Sequence, residues 1–227
     1  MRDSPCIAVC TTLYDTVCRG CGRSDVEVSQ WVTYSQAMKD AVMAKLDLQK
    51  IVVDAGLSWQ QIDDLYRRYQ DPSRHYHNWD HVAHGLTLMK GLASSDQIIA
   101  WAFHDSVYDP TRSDNEYQSA ELAKSFGIRS ERILTMIKDT KTHYPSIEQS
   151  KLVLDVDLSS LAFIPEQFQA NRESIRKEYA HLTDEQFEVG THMFAQSLLD
   201  RDRIFQTEEF AGLESLARSN LKGLICR

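Results

Sequence analysis

From residue 24 onward the chain is a succession of apolar positions at helical spacing, most runs opened by a residue that caps helices, and nowhere does it alternate as a strand does. Ser24-Asp25-Val26-Glu27 has the capping-box pattern, in which serine and glutamate satisfy each other's backbone N–H groups. Ser35 heads a run with Met38, Val42 and Leu46. Ser58 heads Trp59, Ile62, Leu65, Tyr66 and Tyr69, and Asp71-Pro72 ends that run because proline disfavours a helical residue before it. Further amphipathic stretches are expected near 78–93, 96–104, 115–126, 130–141, 147–162, 165–180, 184–205 and 208–224, several of them opening at Ser, Asp or Pro. Glycine is only 9 of 227 residues, and no repeat shows at periods of about 20–50 residues. The pattern predicts an all-α protein. With 42% hydrophobic and 26% charged residues, a chain of this length can bury a core, as one domain or one domain with a small appendage.

The appendage is set apart by cysteine. Cys6, Cys10, Cys18 and Cys21, four of the five, follow the pattern C-x3-C-x7-C-x2-C. Two short-spaced pairs joined by a turn suit four thiolates on one structural metal centre, either Zn²⁺ or an iron–sulfur cluster. Gly20 and Gly22 flank Cys21, where small residues let backbone N–H groups face a metal-bound sulfur. Cys226 has no partner by spacing. With Ser4-Pro5-Cys6, Cys18-Arg19-Gly20-Cys21-Gly22-Arg23 and Trp31, residues 4 to about 46 resemble a small bacterial family of predicted iron–sulfur proteins. That resemblance implies a bound metal and no particular function. It divides the chain into a Cys module over 1–46 and a helical domain over 47–227.

Charge and hydropathy narrow the partners. Lys+Arg is 25 and Asp+Glu is 33, a net charge of −8, which argues against broad binding to a phosphate backbone. Arg2, Arg19 and Arg23 lie near the cysteines without a basic-aromatic array, so a nucleic-acid role for the module finds little support. No apolar run approaches the roughly 20 residues of a membrane helix, and Met1-Arg2-Asp3-Ser4-Pro5 carries no apolar leader. A cytoplasmic protein is expected.

Half of the eight histidines fall within Arg74-His75-Tyr76-His77-Asn78-Trp79-Asp80-His81-Val82-Ala83-His84. On one helix His77, His81 and His84 would share a face. An apolar stretch from Ile98 to Phe103 then ends in His104-Asp105, and Asn115-Glu116, His143 and Asp155-Val156-Asp157 follow. Helical bundles build metal sites from inward-facing ligands on separate helices, and a mixed His and carboxylate set suits Mg²⁺, Mn²⁺, Fe²⁺ or Zn²⁺. Tyr76, Trp79, Tyr108, Tyr144 and Phe163 are candidates to stack a base, although core or rim packing is their ordinary use.

In order along the chain stand R-H-Y-H-N-x-x-H at Arg74–His81, F-H-D-x-V-Y-D-P at Phe103–Pro110, D-N-E-x-x-S-A at Asp114–Ala120, T-K-x-H at Thr140–His143 and D-x-D-L at Asp155–Leu158. These motifs, spread from about Tyr69 to Leu221, resemble a bacterial group of predicted HD-superfamily metal-dependent phosphohydrolases. Tyr76–His81 also resembles the H-N-x-x-H signature of cyclic-nucleotide phosphodiesterases. The resemblance implies that His81, His104, Asp105 and Asp157 hold a divalent metal and that His77 is the general acid. It implies that Arg74, Asn78, Asn115, Glu116, Lys141 and His143 bind substrate or support the ligands. Asp157 is preferred to Asp155 because Val156-Asp157-Leu158-Ser159 resembles the A-D-L-S stretch around the phosphodiesterase ligand, and two positions two apart cannot both face inward on a helix.

The expected activity is metal-dependent hydrolysis of a phosphoester, such as a nucleotide or another small phosphorylated metabolite. Asp105 would accept the proton of the attacking water, and His77 as imidazolium would give one to the leaving oxygen. Arg74 and Lys141 would neutralise phosphate charge. Two alternatives stand beside it: an HD-type di-iron oxygenase with His143 as an extra ligand, and a regulatory module that senses a nucleotide without turnover. The charged runs Arg176-Lys177-Glu178-Tyr179 and Arg201-Asp202-Arg203 read as paired surface ions.

Overall fold

A computed structural model describes residues 4–225. Among them it is all-α: eleven helices, no strand, and one isolated bridge between Val17 and Ser24. The helices are α1 (Asp25–Ser29), α2 (Gln36–Ala55), α3 (Trp59–Tyr69), α4 (Trp79–Met89), α5 (Ser95–Phe103) and α6 (Asn115–Ser125). Then come α7 (Glu131–Asp139), α8 (Ser150–Leu158), a 3-10 turn (Ser159–Ala162), α9 (Pro165–Glu178), α10 (Asp184–Leu199), a second 3-10 turn (Ala211–Leu213) and α11 (Glu214–Ile225). No helix among the described residues is long and apolar enough to cross a membrane. Cys226 and Arg2 lie outside the described residues.

The centre of the fold is α5. A helix apolar on every side is stable only when surrounded. Ile99, Ala100, Trp101, Ala102 and Phe103 are all buried, with α2, α4, α6, α7 and α8 packed around them. Ser94 caps its start, taking the N–H of Gln97 while Gln97 returns to the Ser94 N–H. Gly85 lets α4 approach closely: a Cβ there would stand 2.2 Å from the indole of Trp101, whose Nε1 donates to the Val82 carbonyl at 2.9 Å. The C-terminal end of this buried helix delivers His104 and Asp105.

Two elements differ from the sequence expectation. Asn78 caps α4, its Oδ1 accepting from Asp80 N at 2.9 Å and His81 N at 3.4 Å, so His77 precedes the helix. His77, His81 and His84 therefore share no helical face. Helix α10 stops at Leu199, short of 205: Arg218 donates to the carbonyls of Leu199, Arg201 and Asp202, and carboxylates from elsewhere hold the backbone that follows. Glu214 accepts from Ile204 N and Phe205 N, and Asp155 accepts from Gln206 N and Thr207 N, at 2.7–3.1 Å. Asp155, wholly buried, thus anchors a loop and faces away from the metal-capable group.

The N-terminal segment packs on the main body. Gly22, at φ +77°, meets the ring of Trp59, where any Cβ would clash at 2.3 Å. Gln60 Nε2 donates to the Val17 carbonyl at 3.1 Å, and Lys45 pairs with Glu27 at 2.5 Å. Helix α2 runs from the module into the core, with Leu46, Gln49 and Val52 buried along it.

Candidate metal centre and cavity

Three separate elements bring donors to one point. His81 comes from α4, His104-Asp105 from the end of α5, and Asp157 from α8. One ligand atom from each of His81, His104 and Asp105 lies within 4.8 Å of the others. The two imidazole Nε2 atoms are 3.2 Å apart, and Asp105 Oδ2 is 3.0 Å from His104 Nε2 and 4.0 Å from His81 Nε2. Asp157 adjoins this trio, its Oδ1 3.4 Å from His81 Nε2 and 3.8 Å from His104 Nε2.

The surroundings fix these groups. His104 Nδ1 lies 2.7 Å from the Trp101 carbonyl, which can only accept, so Nδ1 carries a hydrogen. The ring stacks on Trp101 with centroids 4.1 Å apart. A neutral His104 then presents the Nε2 lone pair to His81, and two such nitrogens at 3.2 Å call for a proton or a cation between them. The donor set fits a divalent metal on that ground. Burial opposes charge on His104, but Asp105 and Asp157 outweigh it and lift its pKa to about 9. Burial would raise Asp105 and Asp157, yet the adjacent histidines hold both below the carboxylate range.

Of the two roles expected for Arg74, substrate binding or support of the ligands, its contacts are those of support. Its buried guanidinium donates to the carbonyls of Asp105 at 2.6 Å, His77 at 3.1 Å and Ser106 at 3.2 Å. It ties the His77 segment to the Asp105 turn, lies against the rings of Tyr69 and Tyr108, and is not part of the cavity lining. Asn78 acts through the α4 cap, and Asn115 is buried against the backbone of Asp109. Glu116 and Lys141 line the cavity, and Lys141 donates to the Ser113 carbonyl and forms no ion pair among the described residues. His143 sits at φ +51° with Nε2 3.0 Å from Asp157 Oδ2. Arg201 pins that turn by donating to the carbonyls of His143 and Thr142.

His77 reaches the cavity from outside the helix. Its Nδ1 is 2.7 Å from Glu178 Oε2, its ring stacks on Tyr108 at 4.2 Å, and its Nε2 is the nitrogen left for a ligand. Burial disfavours its charge, but Glu178 and the more distant Asp105 raise its pKa above the ordinary imidazole value. Glu178 had the appearance of a surface ion in a charged run and is only 7% exposed. The signal that would have found it is its place three residues after Ile175, on the inward stripe of α9.

Of the aromatic candidates, Tyr76 and Tyr108 line the cavity. Trp79 is core against Tyr66 and Tyr69, Tyr144 is exposed beside Arg201, and Phe163 packs on His84. His84 pairs with Ser159 at 3.4 Å, outside the trio.

The Cys18 and Cys21 thiols lie within hydrogen-bond reach of each other. No three of the Cys6, Cys10, Cys18 and Cys21 sulfurs lie within 4.8 Å of one another. Each has another partner: Cys6 Sγ accepts from Ala8 N, Cys10 pairs with Thr12, Cys18 donates to the Val9 carbonyl, and Cys21 accepts from Arg23 Nε. Cys18 and Cys21 are buried and Cys6 and Cys10 exposed.

Residues 4–50 match a family model described as a protein of unknown function, DUF1289. The N-terminal Cys-containing module carries that family's pattern, and the helices beyond residue 50 fall outside the match. No curated protein and no solved structure matches the chain.

Proposed function

We propose that the site hydrolyses a phosphoester with a divalent cation held by His81, His104 and Asp105 and joined by Asp157. The observation that carries this reading is the facing pair of imidazole Nε2 atoms, 3.2 Å apart, beside two carboxylates, Asp105 and Asp157, that line a cavity together with His77. When bound, the cation would polarise a phosphoryl oxygen and lower the pKa of a water. The chain's own residues supply the rest. Arg74 and the Asn78 cap hold the two ligand-bearing segments in register. Glu178 fixes the His77 ring and favours its protonated form, so Nε2–H faces the leaving oxygen. Lys141 offers a cation at the cavity wall for phosphate charge.

The test is hydrolysis of bis(p-nitrophenyl) phosphate and p-nitrophenyl phosphate by protein loaded in turn with Mn²⁺, Mg²⁺, Fe²⁺ and Zn²⁺, with metal content measured on the same samples. Turnover that follows metal content supports the reading, and stoichiometric metal without turnover of any ester rejects it. A second reading rests on His143: with Nε2 at Asp157 it offers a further nitrogen for a second iron and an O₂-activating centre. Two irons per chain and turnover that requires O₂ would favour it. For the Cys module, a bound Zn²⁺ or iron–sulfur cluster requires the four sulfurs to move together from their present partners.

A further inference from the structure

The cavity beside the metal-capable group has a volume of about 550 Å³, within the range of small-molecule sites. Its walls are unequal. At one end stand His77, Asp105, Asp157, His143 and Lys141. Much of the rest is one mainly apolar face each of α9 and α10, with Leu161, Leu221 and Leu224 adding apolar surface and Arg112, Ser160 and Tyr179 adding polar groups. Helix α9 turns Phe168, Asn171, Arg172 and Ile175 toward it, and α10 turns Phe187, Gly190, Thr191 and Phe194. Both sets follow the i, i+3, i+4, i+7 spacing of a face meant for burial. Yet α9 buries only Glu178 among its 14 residues. At Gly190 a Cβ would meet nothing within 4 Å. The apolar surface begins at the reacting end: Leu158 follows Asp157 directly, and the Phe194 ring is 6.0 Å from that of His143.

We propose that this recess receives the hydrocarbon part of an amphiphilic phosphoester, an alkyl or aryl phosphate whose anionic head lies at His77, Asp105 and Lys141. The inference rests on the phosphoester reading above and names the substrate class for it. A sugar or a polyhydroxylated body fits poorly, because the two helix faces offer only Asn171, Thr191 and Arg172, whose guanidinium is engaged by Glu188 and keeps one unpaired Nε–H, too few partners for several buried hydroxyls. An alkyl chain needs none and gains by leaving water.

The test uses the full chain loaded with Mn²⁺ and a series of n-alkylphosphonates from methyl to decyl, which cannot be hydrolysed, with affinity read by calorimetry. Affinity is expected to rise about fourfold per added methylene until the recess is full. Gly190→Leu, which fills open space, should bring the plateau to a shorter chain. Phe168→Ala should move it to a longer one, and Met193→Gln, on the exposed face of α10 outside the cavity lining, should leave it in place. Affinity independent of chain length overturns the inference, and so does a length dependence that neither cavity variant shifts. The two readings fail separately. Length-dependent binding without hydrolysis of the matching alkyl phosphates rejects the chemistry and keeps the recess. Hydrolysis of short esters with a flat length series keeps the chemistry and rejects the recess.

Discussion

His77 Nδ1 stands 2.7 Å from Glu178 Oε2, while Oε1 of the same carboxylate accepts the backbone N–H groups of Tyr76 and His77 at 2.7 and 2.9 Å. One carboxylate fixes both the ring and the backbone that carries it. Burial would raise its pKa, but the His77 side chain and these N–H groups bring it down to about 2. A His77 with raised pKa is an imidazolium below that value and loses its proton as pH rises through it. Activity that depends on His77 as acid should therefore persist above the ordinary imidazole range and fall on the alkaline side. Glu178→Gln keeps an acceptor for the backbone but removes the charge. Its alkaline limb in kcat/KM against pH should move to lower pH, and an unmoved limb would show that His77 is not the titrating acid.

His77→Ala separates the acid from the ligands. Metal content should be unchanged and turnover lowered by roughly 10²–10⁴-fold, the usual contribution of a general acid. Asp105→Ala should do the opposite in order of cause, losing metal first and hydrolysis with it. Elemental analysis of both purified variants, beside the assay, decides the matter: full metal stoichiometry in Asp105→Ala removes that residue from the ligand set.

Gly85→Ala tests how the core holds the site. The added methyl would press on the indole of Trp101, a fully buried ring that itself stacks on His104. Overpacking of this kind costs about 1–3 kcal/mol. Thermal unfolding should show that loss, and a metal titration should show weaker binding, since His104 moves with the indole. Lower stability with unaltered metal affinity would mean that the ring yields elsewhere.

Much of this architecture was legible in the residues. Helix existence followed from period and caps, and the Ser24, Ser58 and Ser94 boxes all form because serine and its N3 partner lie within one turn. The motif positions His81, His104, Asp105 and Asp157 meet at one point because each sits at or near an end of a helix that packs on, or is, α5. What spacing does not encode is long-range capture of backbone. The Asn78 cap that leaves His77 outside α4 is local, to the N–H groups of Asp80 and His81, whereas Asp155 with Glu214 holds the backbone beyond α10 through contacts fixed only by the tertiary fold. Glu178 was hidden for the same reason: its partner lies 101 residues earlier in the chain.

Glu214 gives a pH prediction remote from the site. Burial would raise its pKa, but the N–H groups of Ile204 and Phe205, with Arg218, hold it below the ordinary value of 4.5. The folded value is depressed, so its stabilisation is present above pH 4.5 and is lost as pH falls through the lowered value. Glu214→Gln should cost about 1–2 kcal/mol at pH 7. Urea unfolding at pH 7 and pH 4 should show the gap to wild type narrowing at the lower pH, and a gap that widens would reverse the assignment.

Helix α2 has a consequence for anyone who would separate the two parts of this chain. The family match ends at residue 50 and the cysteine pattern suggests a seam near 46, yet both points fall within a single helix running Gln36–Ala55. A chain begun at residue 47 would start in mid-helix, with the first four N–H groups of the remnant stripped of their carbonyls and Ser35, whose hydroxyl caps the intact helix, gone. It would also bare the Trp59 face that Gly22 covers. The two regions have separate sequence signatures but share one piece of backbone, so a cut between them severs a helix that belongs to both.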